Sequence, residues 1–161
     1  MKIYLGGEMF SEADVHYNLM LAKQIRNIGY EVYCPNENLD INDKAKSGIT
    51  GENIYNADIA ELESSNIFLC QISEDSGTMW EAGYMDCLSR LVDSNKYLGC
   101  IGLVTDIRLA TPPNPLQPGI NNQTMYLNQF IIGALKLSLG VCISREDLCA
   151  KLEEIKNDHD R

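Results

Sequence analysis

Histidine is nearly missing from this sequence: 161 residues hold two, His16 and His159, with a single tryptophan and 7% aromatic residues. One histidine sits in an amphipathic stretch and the other in the tail. A His-based triad or a zinc site is therefore poorly supported, no metal is expected, and any catalysis falls to carboxylates. Basic residues are also short, 13 against 23 acidic ones, for a net charge of −10. That balance lacks the basic footprint a sequence-independent nucleic-acid binder needs, and it disfavours docking on anionic lipid. No apolar run approaches the ~20 residues of a membrane span. The start, MKIYLGGEMF, has no long apolar core or small-residue cleavage site. The six cysteines (Cys34, Cys70, Cys87, Cys100, Cys142 and Cys149) form no C-x-x-C pair and lie in apolar segments. They read as buried free thiols in a reducing, cytoplasmic setting. Gly6-Gly7 has neither the third glycine of a dinucleotide fingerprint nor the Gly-Lys-Ser/Thr of a Walker loop.

What is present is an alternation of two periodicities. KIYLGG is a short β-like run, and EADVHYNLMLAKQIRNIG has helical spacing (Val15, Leu19, Ala22, Ile25, Ile28) closing on Gly29 as a C-terminal cap. YEVYCP is a second strand stopped by Pro35, and 36–50 is a weakly periodic loop of the kind that forms lids. GENIYNADIAELESS, TMWEAGYMDCLSRLVDS, TMYLNQFIIGALKLSLG and REDLCAKLEEIKNDHD read as helices between the strands NIFLCQIS, KYLGCIGLV and VCIS. A proline-rich loop, 108–122, interrupts them. Strands of near-continuous apolar residues alternating with helices predict one α/β domain over 1–161, doubly wound and Rossmann-like, with a five-stranded, mainly parallel sheet between helices.

Ligands of such folds sit beyond the carboxyl ends of the strands, near the switch in strand order. The positions to search are 6–10, Pro35 onward, 73–77 and the loop after Val104. Gly6 and Gly7 let backbone approach a ligand or simply make a tight turn. Tyr4 either packs in the sheet or reaches a carboxylate at its edge. Asp58 shares a helix face with Ile54 and Leu62, so it is either buried with partners or solvated by a shift in phase. In EDSGTMWEAGY, residues 74–84, Thr78 and Glu81 have the spacing of a capping box, whereas Asp75 with Glu81 would suit an acid–base or nucleophile pair. The free amides of a helix start favour an ionised carboxylate under either reading.

Taken together, IYLGG, NADIAELESSNIFLCQI, the spaced unit Asp75, Gly77, Glu81 and Gly83 in DSGTMWEAGY, and YLNQFIIGA resemble the nucleoside 2-deoxyribosyltransferase family over most of residues 2–135. The terminal helix 144–158 lies outside that stretch. The resemblance implies a flavodoxin-like fold and an enzyme that passes the 2-deoxyribosyl group of a deoxynucleoside to another purine or pyrimidine base. By position, Glu81 is then the nucleophile, Tyr4 holds it, and Asp58 and Asp75 bind the base and manage its proton. Gly6, Gly7 and Gly77 line the substrate. Asn128, with Phe130 beside it and Asn122 as another register, reaches the sugar 5′-hydroxyl bound to a neighbouring subunit. No cofactor is implied. The partners are a small deoxynucleoside, a free nucleobase and copies of the same chain, in a dimer-based homo-oligomer that can extend to a hexamer.

Two other readings compete. One is a hydrolase of deoxynucleosides or their 5′-monophosphates, and the other is a non-catalytic nucleotide-binding domain, which fold alone does not separate from an enzyme. An acid set of Asp58, Asp75 and Glu81 gives a mere binder little purpose.

Overall fold

A computed structural model describes residues 1–43, 45, 47–106 and 127–159. Five strands, β1 (Lys2–Gly6), β2 (Glu31–Tyr33), β3 (Ile67–Gln71), β4 (Gly99–Leu103) and β5 (Val141–Cys142), form one sheet in the order β2-β1-β3-β4-β5. Every pairing is parallel, so the sheet expected to be mainly parallel is wholly so. This is the flavodoxin-like order, whose direction of winding reverses between β1 and β3.

The helices are α1 (Glu12–Ile28), α2 (Leu39–Asn42), α3 (Gly51–Ser64), α4 (Ser76–Cys87), α5 (Gln129–Leu137) and α6 (Arg145–His159). Alternation along the strands sorts their side chains to two faces. Ile3, Leu5, Ile67, Leu69, Ile101 and Leu103 pack with Leu21 and Ile25 of α1 and Leu148 and Leu152 of α6. Tyr4, Phe68, Cys70 and Cys100 face Leu62 of α3, Ala82 and Met85 of α4 and Leu135 of α5. Each such aliphatic side chain withdrawn from water stabilises the fold by about 1.5–3 kcal/mol. Among the described residues no helix is long and apolar enough to cross a membrane.

Local chemistry explains the element boundaries. Ser11 and Asp14 form a capping box at the start of α1, and Gly29 closes it in the left-handed region at φ 102°. The buried stripe of α1 is Asn18, Leu21, Ala22 and Ile25, whereas Leu19 faces outward, so the expected apolar face is rotated. A buried amide at Asn18, hydrogen-bonded to Gln71, takes its place in the stripe. The 36–50 loop contains a 3₁₀ turn (Pro35–Glu37) and the single turn of α2. Helix α4 continues into a π-helical turn, Leu88–Val92. Helix α5 begins at Gln129, later than the periodicity suggests, because the Asn128 side chain caps it through the amides of Phe130 and Ile131. The proline-rich 108–122 segment, Asn122 included, lies outside the described residues. Cys34, Cys70, Cys100 and Cys142 are buried free thiols and Cys149 is half-buried, but Cys87 is exposed, against expectation.

Candidate active site

The reversal between β1 and β3 opens a cavity of about 200 Å³ lined by Tyr4, Gly6, Gly7, Asp58, Asp75, Gly77 and Glu81, among others. All four of the expected catalytic residues, Tyr4, Asp58, Asp75 and Glu81, and the glycines Gly6, Gly7 and Gly77 therefore converge on one place. Tyr4, fully buried on β1, aims its side chain at the α4 face of the sheet. Its hydroxyl donates to Glu81 Oε1 at 2.7 Å. The Tyr4 ring lies between Tyr33, at 4.9 Å between centroids, and Phe68, at 5.5 Å. These three residues occupy one register row across β2, β1 and β3. Such packing locks the ring so that the hydroxyl has one direction to point.

Asp75, not Thr78, is the N-cap of α4: its Oδ2 accepts from the Thr78 amide at 2.7 Å and from the Thr78 hydroxyl at 2.7 Å. The capping-box reading of Thr78 and Glu81 is thereby corrected. Glu81 falls in the second turn, past the free amides, with its carboxylate released for other work. Its environment also differs from the ionising one expected at a helix start. Burial above all, with the charges of Asp58 and Asp75, raises its pKa to about 7 against the downward pull of the Tyr4 hydrogen bond. Burial likewise raises Asp58, against the pull of the Tyr33 hydrogen bond and of the nearby Tyr4 hydroxyl. Asp58 is thus half-buried and partnered, as its helix phase allowed. Burial drives the Tyr4 hydroxyl far above its usual value, so it remains a donor at every relevant pH. The Cys70 thiol, buried beside Glu81, is pushed up to about 12 and offers no competing thiolate.

The glycines are constrained by neighbours as well as by the cavity. A Cβ on Gly6 would run into the Phe68 ring, and one on Gly7 into the Gln71 amide. On Gly77 it would come within 3.3 Å of Asp75 Oδ2, whereas Gly83 faces no described atom within 4 Å. Asn128 and Phe130 stand apart from this cavity. Asn128 lines a larger one of about 940 Å³ with Glu8, Glu74, Asp106 and Ile131, and Phe130 is 82% exposed.

Several contributors went unread in the sequence. Tyr33 donates to Asp58 Oδ1 at 3.0 Å and accepts from Asn38 Nδ2 at 3.0 Å. The Gln71 amide donates to Asn18 Oδ1 at 2.7 Å, and Asn18 donates to the Glu8 carbonyl at 2.9 Å and to Asn36 Oδ1 at 2.8 Å. Asn36 in turn donates to the Met9 carbonyl at 3.0 Å. This half-buried amide chain, centred on the buried Asn18, pins the 7–10 loop whose Met9 and Phe10 line the cavity, and it explains the polar residue in the buried stripe of α1. The available signal was positional: Tyr33 and Gln71 both end strands on the ligand side.

Fold and site together define a doubly wound α/β protein with a carboxylate-lined cavity at its topological switch point. The sequence matches the profile of the nucleoside 2-deoxyribosyltransferase family over residues 3–149, which reaches into α6, and the chain belongs to that family. Membership marks it as a deoxyribosyltransferase-type enzyme. The structure is similar to that of a conserved protein from Enterococcus faecalis V583, at 30% identity and a TM-score of 0.77, covering 96% of this chain and 98% of that one. It also resembles a 2-deoxyribosyltransferase from the psychrotolerant bacterium Bacillus psychrosaccharolyticus. There the identity is 18% and the TM-score 0.62, over 94% and 96% of the two chains, a likeness of fold. No curated protein matches the sequence.

Proposed function

We propose that this protein transfers a 2-deoxyribosyl group between purine or pyrimidine bases through a covalent glycosyl intermediate on Glu81, with retention at the anomeric carbon. The observation that carries the reading is the Tyr4–Glu81 hydrogen bond at the switch point, with Asp58 and Asp75 on the same cavity wall. Ionised Glu81 attacks C1′ of the deoxynucleoside. The C1′–N bond breaks, its electron pair stays on the base nitrogen, and protonated Asp58 supplies the proton that lets the base leave. A second base then attacks C1′ from the vacated side, gives its proton to Asp58 and frees Glu81. Two inversions give net retention. Tyr4 steadies the attacking carboxylate by donating to Oε1. Asp75 uses Oδ2 to cap α4 and has Oδ1 left for the base.

The donor is an unphosphorylated nucleoside in this reading, because Glu8, Glu74 and Asp106 around the neighbouring cavity would repel a 5′-phosphate. A homo-oligomer with shared sites is supported by α5, where Phe130 and Leu137 are 82% and 91% exposed, and by the separation of Asn128 from the acid set of its own chain. Asn128 then serves a neighbour's sugar. Incubation with thymidine or deoxyinosine plus adenine, followed by chromatography, tests the reaction. Formation of deoxyadenosine is expected. Release of free deoxyribose alone would assign a hydrolase, and unchanged substrates a binding domain.

A further inference from the structure

Asp58 is held from two sides. On β1 the Tyr4 hydroxyl faces it while donating to Glu81, and on β2 the Tyr33 hydroxyl donates to its Oδ1 at 3.0 Å. The Tyr33 hydroxyl is itself clamped by Asn38 Nδ2 at 3.0 Å. Asn38 also caps α2, accepting from the Asp40 amide at 3.2 Å. A hydroxyl that accepts one hydrogen bond becomes a better donor in the next, so the sequence Asn38, Tyr33, Asp58 runs in one direction. It ends on the residue that must both hold and release a proton.

We propose that Tyr33 is a positioning residue for base protonation: it fixes the Asp58 carboxyl by Oδ1, leaves Oδ2 to carry the proton to the base, and ties Asp58 to the 34–42 segment through Asn38. The inference rests on the transferase reading for its purpose, but its geometry stands without it. The segment bears on substrate directly, because Pro35 and Asn42 line the same cavity as Asp58, and Asn42 Nδ2 donates to the Pro35 carbonyl at 2.8 Å. Movement of this segment therefore changes the cavity wall and the acid together.

The direction of the effect follows from the charges around Asp58. Burial above all, and Glu61 on its own helix, oppose its ionisation, while Tyr33 and Tyr4 favour it; the mutual repulsion with Glu81 across the cavity acts in the same sense as burial. Without the Tyr33 hydroxyl the carboxyl holds its proton more tightly and delivers it less readily.

Carbon-13 NMR of the protein labelled at aspartate carboxyls reads this directly, with the Asp58 signal assigned by its loss in Asp58→Asn. Tyr33→Phe keeps the ring against Tyr4 and removes only the hydroxyl. The Asp58 midpoint should rise by about one pH unit, the worth of one hydrogen bond to a carboxylate. Asn38→Ser keeps a capping oxygen for α2 but does not reach Tyr33. It should raise the midpoint by less, and by nothing further when added to Tyr33→Phe. A midpoint unmoved in Tyr33→Phe, or an Asn38→Ser shift that adds in full to it, overturns the proposal. Should Tyr33→Phe not fold, an unmoved midpoint in Asn38→Ser overturns it alone. Base exchange in the parent protein decides the transferase reading separately, since the titration needs no turnover.

Discussion

Glu81 is placed where its charge is useful to a nucleophile and costly to the fold. Its native pKa of about 7 lies above its ordinary value of 4.5, so the protonated form is the one the native state prefers. The sign follows: stability from this group is complete below pH 4.5, is lost as pH rises through 7, and stays lost above. Glu81→Gln keeps an acceptor for Tyr4 and has no charge to bury. It should melt higher than the parent at pH 8, by up to about 3 kcal/mol, with the difference vanishing near pH 4. Its exchange rate should fall by at least about a thousandfold. Calorimetry at the two pH values, paired with the exchange assay, checks both halves. In the parent, activity should fall as pH drops through 7, because Glu81, the proposed nucleophile, gains a proton. Tyr4→Phe removes the one interaction that lowers the Glu81 pKa, so the acidic limb of its rate profile should move toward higher pH. An acidic limb that Tyr4→Phe leaves in place would detach Glu81 from that limb.

Helix α4 does its work through its start. Asp75 caps it through Oδ2 and borders the cavity, so in the proposed reaction one carboxylate would carry a structural and a chemical task on different oxygens. Two substitutions separate them. Asp75→Asn keeps a capping oxygen, and should retain stability while losing exchange. Asp75→Ala loses the cap as well, and should melt lower by about 1 kcal/mol. Equal melting of the two variants would mean that the cap contributes nothing. At this scale the sequence was readable wherever one periodicity or one cap dominated: β1, β3, β4, α1 with Gly29, and the acid spacing from Asp75 to Glu81. It misled where two side chains could take one role, as with Asp75 and Thr78 at the start of α4. It was silent where partners are distant in the chain. Tyr33 finds Asp58, and Gln71 finds Asn18, only after the parallel register of β2, β1 and β3 is set.

The whole molecule poses a question of completeness. The β1/β3 switch gathers Tyr4, Asp58, Asp75 and Glu81, yet Asn128 is carried off on the cap of α5, beside an apolar helix surface that no described element covers. A two-fold assembly through such surfaces gives each site residues from two chains, and makes the surfaces on both sides identical. Subunit mixing then has a definite outcome. In the proposed shared site, Glu81→Gln lacks its own nucleophile, and Asn128→Ser, which keeps a capping oxygen for α5, lacks the amide for its neighbour. Each alone should be nearly inactive. In a dimer of one of each, one site has its nucleophile from the Asn128→Ser chain and its amide from the Glu81→Gln chain, and is whole; the other lacks both. Random exchange at equal concentrations makes half the dimers mixed, so about a quarter of the parent activity should return as subunits redistribute. Recovery should track the appearance of mixed dimers by native mass spectrometry. Mixed dimers without any recovered exchange would place Asn128 outside the shared site, and the acid set at the switch point would then act on substrate held by one chain.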